Sequence, residues 1–146
     1  MVYDCDRDEV QRYGPFELRD GENLLSLRDI RYSPEVAQMG YYNDTEFSVK
    51  VVLGEFAGVG DFECNWKEFL CFVAELKELY DFRRYEVEFR DIEWGSWLKF
   101  VMSRWGHLTI SGHLYGATLY TLDFDEFRTD QTILQSFLQQ IMKQLS

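Results

Sequence analysis

The sequence has few prolines, cysteines and histidines, and it has no long apolar run. Two prolines in 146 residues, with an apolar fraction of 46%, exclude a proline-rich disordered chain. The three cysteines are odd in number and lack C-x-x-C spacing, so we expect reduced thiols in an intracellular compartment. Because no run reaches the roughly 18 apolar residues of a membrane-spanning helix, we expect no membrane span and no membrane partner.

Basic residues are scarce relative to acidic ones. Lys and Arg number 15 against 26 Asp and Glu, which gives a net charge of −11. A protein that binds nucleic-acid phosphates normally carries the opposite sign, so we expect no nucleic-acid partner. The acidic excess lies in residues 1–95, which hold 22 acidic and 11 basic residues, whereas residues 96–146 hold four of each.

The length and the first residues indicate a small cytoplasmic protein. A single core usually takes about 100–200 residues, so we expect residues 1–146 to form one domain, with 1–45 as less clearly patterned strands and loops. The chain starts MVYDCDRDEV, which lacks the basic start and apolar run of a secretory signal. We therefore expect the mature chain to begin at or near Met1.

Alternating apolar and polar residues predict several strands. Period-two patterns occupy residues 47–53, 85–89, 98–102, 108–114 and 120–124. The connections between the last four are short, which favours an antiparallel meander. The three glycines of residues 54–60 predict a bulged hairpin turn, and no lysine follows them to make a phosphate-binding loop.

Two helical patterns complete the fold. Asn65 can cap a helix over residues 66–80, in which Cys71 is assigned to the apolar core. A last helix with a broad apolar arc begins near Thr129 or Asp130. The order of elements predicts an α+β fold, a curved antiparallel sheet of about six to eight strands packed on the C-terminal helix with a second helix on its flank.

The usual signatures of metal binding and catalysis are missing. His107 and His113 leave the same face of one strand about 20 Å apart, which is too far for two ligands of one metal ion. There is no nucleophile elbow, phosphate loop or dinucleotide fingerprint. We therefore expect no catalytic residue, no metal and no cofactor.

Two acid pairs and one tryptophan mark a candidate binding surface. Glu86 with Glu88, and Asp123 with Asp125, are i, i+2 pairs about 7 Å apart along a strand. Glycosidases use such separations, but the same pairs also arise on a solvated strand face. Trp97 is out of register with the apolar positions of its strand, so it faces solvent unless a helix or loop covers it. Exposed aromatics beside acidic residues suit a protein partner.

Four segments resemble the WapI-type family of small bacterial proteins. They are GEFAG at 54–58, ELKELY at 75–80, GHLTISG at 106–112 and TDQT at 129–132. The resemblance covers residues 46–146, with the segments in the family's order and spacing.

The resemblance implies a non-enzymatic immunity protein, which binds and neutralises the nuclease-type toxic domain of a polymorphic or contact-dependent bacterial toxin. An acidic surface would be steered to the basic groove of a nuclease. The candidate partner-binding residues are Glu86, Glu88, Trp97, Asp123 and Asp125. The alternative is a ligand-binding or interaction domain unrelated to a toxin, which a deep apolar pocket would favour.

Overall fold

The structure is a computed structural model that describes residues 10–116 and 120–145. Nine strands are described: β1 (Gln11–Tyr13), β2 (Phe16–Asp20), β3 (Asn23–Tyr32), β4 (Thr45–Leu53), β5 (Phe56–Cys64), β6 (Glu86–Arg90), β7 (Trp97–Met102), β8 (His107–Tyr115) and β9 (Thr121–Asp130). Three helices are described: α1 (Pro34–Gln38), α2 (Trp66–Tyr80) and α3 (Gln131–Leu145). None of these helices is long and apolar enough to cross a membrane.

The strands form two antiparallel sheets. In sheet A the order is β1-β3-β4-β5, and β2 also pairs with β3. In sheet B the order is β6-β7-β8-β9, the meander that the short connections predict. The α+β class, the antiparallel pairing and the C-terminal helix are therefore confirmed, with the strands divided between two sheets. One hydrophobic cluster includes residues of both sheets, of α2 and of α3.

The glycine segment is mostly strand, not a bulged turn as the sequence predicted. Only Gly54 and Glu55 form the turn, and β5 begins at Phe56. A Cβ on Gly60 would lie 2.6 Å from the Cβ of Leu114 in β8. A side chain at this position would clash, because β5 of sheet A crosses β8 and β9 of sheet B at close range.

The start of α2 is fixed by three side chains. The Asn65 side chain accepts a hydrogen bond from the Lys67 amide at 2.9 Å, and the Glu68 carboxylate accepts one from the Asn65 amide. The predicted capping box is therefore present. The buried Asp44 carboxylate accepts a further bond from the Trp66 amide at 2.8 Å.

Cys71 is exposed, which corrects its assignment to the core. On a helix, Cys71 lies one turn from both Lys67 and Glu75, on the solvated side. Its neighbour Phe72 is buried. The apolar arc of α2 is thus narrower than the sequence pattern predicted. Cys5 lies outside the described residues.

The start of α3 is capped as predicted by one of the two candidates. Asp130 accepts a hydrogen bond from the Ile133 amide at 3.0 Å, which is the N-cap contact. Thr129 is the penultimate residue of β9, and its hydroxyl donates to Asp20 at 2.8 Å. The side-chain amide of Gln131 donates to the Tyr80 carbonyl at 2.7 Å, so it ties α3 to the end of α2.

Two glutamines of α3 close the free edge of β2. The Gln140 side chain accepts from the Glu17 amide at 2.8 Å and donates to the Glu17 carbonyl at 2.7 Å. Gln144 accepts from the Gly14 amide at 2.9 Å. A helix side chain therefore makes the two hydrogen bonds that a neighbouring strand would otherwise make.

Candidate functional site

The solvent-facing side of sheet B carries most of the residues that the sequence singled out. We call it the outer face of sheet B, and it is defined by the side chains that alternate with the core positions of β6 to β9. Its members on the first three strands are Glu86, Glu88, Arg90, Trp97, Lys99, Val101, His107, Thr109, Ser111, His113 and Tyr115.

A row of four cross-strand neighbours crosses this face. Arg90 is paired with Trp97, Trp97 with His113, and His113 with Asp123. The Arg90 guanidinium lies 5.9 Å from the centre of the Trp97 ring, within the range of a cation–π contact. Nδ1 of His113 contacts a carboxylate oxygen of Asp123. Trp97 is half-buried in this row and faces outward, as its register predicted.

The two glutamates of β6 form ion pairs on the same face. Glu86 lies 3.5 Å from the Lys99 ammonium, and Glu88 lies 2.7 Å from Nε of Arg90. Both carboxylates are exposed to solvent. Exposed pairs of this kind contribute little to stability, about 0–1 kcal/mol each, so these charges are available to a partner.

Asp125 lies at the margin of the face because β9 is bulged. The pairing of β8 and β9 shifts between Ile110 and Gly112, so that Asp125 and Glu126 both lie opposite Ser111. Both acidic residues are exposed. Asp125 also lines a surface cleft of about 560 Å³ beside the β4–β5 turn. The structure thus places Glu86, Glu88, Trp97 and Asp123 on one face, with Asp125 at its border.

The β6–β7 loop contains a buried aspartate that sequence reasoning missed and that borders the candidate face. The buried carboxylate of Asp91 accepts from the Glu63 amide at 2.6 Å, from the Gly95 amide at 2.9 Å and from the Trp94 amide. Because Glu63 belongs to β5, this carboxylate ties sheet A to the loop of sheet B. The positive φ of Gly95, +87°, follows from the tight turn around Asp91. An aspartate four residues before a glycine was the available signal, but it is short and common.

Asp91 also positions a stacked aromatic pair, in which Trp94 is exposed and Tyr115 is half-buried. The Trp94 indole donates to the Glu63 carboxylate at 2.9 Å and stacks on Tyr115, with ring centres 6.0 Å apart. The buried Ser96 hydroxyl accepts from the Tyr115 amide at 2.9 Å and holds the other side of the loop. Trp94 therefore lies between the outer faces of the two sheets, in a fixed position.

One cross-strand row on the outer face of sheet A is basic at one end and acidic at the other. Arg12 and Arg31 lie on β1 and β3, and Glu46 and Glu63 continue the same cross-strand row on β4 and β5. Arg31 and Glu46 form an ion pair. With Trp94 at its acidic end, this row borders a surface cleft of about 420 Å³.

No group of His, Cys, Asp and Glu side chains in residues 10–116 and 120–145 could hold a metal ion. His107 is exposed at the start of β8 and pairs with Asp130, while His113 contacts Asp123 near the other end of the strand. Burial raises the pKa of the Cys64 thiol, and the nearby carboxylates of Glu68, Asp44 and Asp91 raise it further. That thiol is therefore protonated at neutral pH and is not a nucleophile.

The comparison with protein families gives one match over most of the chain. The model of the family described as "Immunity protein WapI-like family" matches residues 17–146. The comparisons with curated proteins and with solved structures give no match. The resemblance over residues 46–146 is confirmed, and the match extends it to include β2, β3 and α1. The chain belongs to the WapI-like immunity protein family.

Proposed function

We propose that this protein neutralises the toxic domain of a polymorphic or contact-dependent toxin by binding it through the outer face of sheet B. The observation that carries the proposal is the shared face of Glu86, Glu88, Trp97 and Asp123. Membership of an immunity family supports a toxin as the partner. Tryptophan and arginine are enriched at interface hot spots, and Trp97 lies half-buried on this face beside Arg90.

The charge of the face favours a basic, nuclease-type toxin domain. On β9, Asp123, Asp125 and Glu126 add to the two glutamates of β6, so these five acids outnumber the basic residues of the face, Arg90, Lys99 and Arg128. An acidic face raises the rate of encounter with a basic groove, and that rate falls as salt screens the charges. The inhibitor then occupies the groove in place of nucleic-acid phosphates, and it does so in the cytoplasm of the producing cell.

This function is stoichiometric binding and needs no catalysis. The acid pair that resembled a glycosidase site, Glu86 and Glu88, lies on an open strand face and is tied to Lys99 and Arg90. In the second pair both acids are exposed on β9, and Asp123 is in contact with His113.

The test is co-expression with a candidate toxin domain, taken from a gene that neighbours the gene of this protein. We expect the protein to restore growth and to co-purify with an inactivated form of that domain in a one-to-one complex. The double charge reversal Glu86→Lys/Glu88→Lys should weaken binding by about a hundredfold or more, because two favourable charges become repulsive. Failure of the unchanged protein to bind or to restore growth overturns the proposal and leaves the ligand-binding alternative.

A matched control separates the effect of this face on binding from the effect of the protein's net charge. Glu22 and Glu35 are exposed and lie in the β2–β3 turn and in α1. The double variant Glu22→Lys/Glu35→Lys changes the net charge equally, and we expect it to restore growth as the unchanged protein does. Equal loss in both double variants would show that total charge, and not this face, determines binding.

A further inference from the structure

The edge of sheet B at β6 is open. Among the strands of residues 10–116 and 120–145, β6 is an end strand of its sheet and pairs with β7 alone. The backbone groups on its far side must therefore be satisfied by water or by a partner.

The register identifies which residues point outward. The Met102 amide donates to the Tyr85 carbonyl at 2.9 Å, and the Asp91 amide donates to the Ser96 carbonyl at 2.8 Å. In an antiparallel pair, residues with this bonding alternate with residues whose N–H and C=O groups face away. The backbone groups of Glu86, Glu88 and Arg90 consequently face away from β7. Within the described part of the chain, no hydrogen bond reaches these outward groups.

A groove runs beside this open edge. It has a volume of about 430 Å³ and lies between β6 and the exposed side of α2. Its floor and far end are formed by Cys71, Phe72, Phe89 and Ile92, of which Ile92 is 44% exposed. An open strand edge beside a helix is the geometry in which extended peptides add to a sheet.

The rim of the groove is acidic. Glu68, Glu75 and Glu88 line it, against Lys67 and Arg90. Glu88 is paired with Arg90 and Glu75 with Arg84, in exposed ion pairs for which a basic partner can compete. A strand laid along β6 would also bring its outward side chains next to Glu86 and Glu88, where lysine or arginine is favoured.

We propose that an extended, lysine- or arginine-bearing segment of the toxin domain adds to β6 as the fifth strand of sheet B. Its outward side chains meet Glu86 and Glu88 on the outer face, and the alternate side chains are apolar and enter the groove beside Cys71 and Ile92. This inference rests on the proposed function and specifies how the toxin is held. A second copy of the chain is the competing occupant: symmetric pairing centred on Glu88 would set two Glu88 carboxylates opposite each other, but it would also set Glu86 opposite Arg90 twice, so the test below includes it.

Hydrogen exchange is the direct test, with the inactivated toxin domain of the neighbouring gene as the probe. In the free protein the Glu86, Glu88 and Arg90 amides should exchange fast, and in the complex they should become protected by about tenfold or more. The amides of Val87 and Phe89 are the internal control, since they face β7 and are protected in both states.

A pair of variants isolates the outward amide. Glu88→Ala removes the carboxylate and keeps the N–H, whereas Glu88→Pro removes both and leaves the bonds to β7 in place. We expect Glu88→Pro to bind the toxin domain about tenfold or more weaker than Glu88→Ala, since it also loses a backbone hydrogen bond at the interface. Circular dichroism checks that both variants are folded, and the exchange measurement stands if the proline variant is not.

Alkylation of Cys71 reports on the groove itself. In a Cys5→Ser background, iodoacetamide should modify the exposed Cys71 and not the buried Cys64. Bound toxin domain should slow the modification of Cys71 by about tenfold or more, since the added strand covers the groove.

The outcomes separate the two proposals. If the toxin domain binds, and neither the β6 amides nor Cys71 gain protection, the strand addition is wrong and the proposed function stands. If protection appears together with a dimer of this chain in the absence of toxin, a second copy is the occupant and the toxin strand is rejected. If the unchanged protein binds no toxin domain, both proposals fail.

Discussion

The strand edges of this molecule are treated in two different ways. At β2, Gln140 of α3 makes both hydrogen bonds to the backbone of Glu17. At β5, Asp91 and the Ile92 amide bond the N–H and the C=O of Glu63. At β6, the backbone of Glu88 faces a groove and has no such partner within the described residues.

The difference teaches that the side-chain closure found at β2 and β5 of sheet A is not repeated at β6 of sheet B. Open edges carry a risk of aggregation, and proteins usually cover them or charge them. Here sheet A is covered by side chains that reach from α3 and from the β6–β7 loop. At β6 only the charges of Glu86, Glu88 and Arg90 provide protection, and these repel a like-charged edge while accepting a basic one.

The largest effect on stability is expected at the edge of β5, where the carboxylate that bonds the strand is buried. Asp91→Ala removes an acceptor shared by three amides, including that of Glu63, and should lower the free energy of unfolding by about 3 kcal/mol. Urea denaturation measures this loss. The control is Glu93→Ala, which replaces an exposed acid in the same loop and should change the free energy of unfolding by less than about 0.5 kcal/mol. An Asp91→Ala protein as stable as Glu93→Ala would show that the loop does not close β5.

A proline at the closed edge of β2 should have the next largest effect. Glu17→Pro removes the amide that donates to Gln140, and the proline ring would occupy the space of the 2.8 Å contact. We expect the free energy of unfolding to fall by about 2 kcal/mol, from a lost hydrogen bond and an unpaired side-chain oxygen. Thermal unfolding followed by circular dichroism measures this loss, and an unchanged midpoint would mean that the bond contributes nothing.

The sequence predicted local elements better than it predicted these closures. The helix over 66–80, its Asn65 cap and the outward position of Trp97 follow from periodicity and side-chain chemistry within a few residues. The contact of Gln140 with Glu17 joins positions that are far apart in the chain, and nothing near either residue indicates it. The glycines of β5 were assigned to a turn because the strands that approach them, β8 and β9, come about 50 residues later.

The candidate site shows the same limit. The acids of β6 could be placed beside Trp97 by strand alternation, because adjacent strands of a meander are also adjacent in sequence. The bulge at Asp125 and the role of Asp91 could not be predicted, since both depend on how neighbouring strands are paired. Cys71 was misassigned for the related reason that the width of an apolar helix face is set by what packs on it.

Removing Gln140, the glutamine that bonds the edge of β2, should lower the free energy of unfolding by less than Glu17→Pro does. Gln140→Ala leaves the Glu17 amide and carbonyl free to bond water, because the site is only partly buried. We expect a loss of about 1 kcal/mol in the free energy of unfolding, with Gln139→Ala, its exposed neighbour on α3, near zero. A larger loss in Gln139→Ala than in Gln140→Ala, measured by urea denaturation, would contradict the closure.

The smallest effect on stability is expected at the open edge. Glu88→Pro is the same substitution as Glu17→Pro, at the middle of a five-residue edge strand, but the amide that it removes faces the groove and has no protein partner. The remaining cost is the restriction of φ and the loss of an exposed ion pair with Arg90, together within about 1 kcal/mol. The two proline variants, unfolded side by side in urea, thus compare a covered edge directly with an open one. Equal destabilisation would mean that the Glu88 amide is already bonded in the free protein, and β6 could then not accept a further strand.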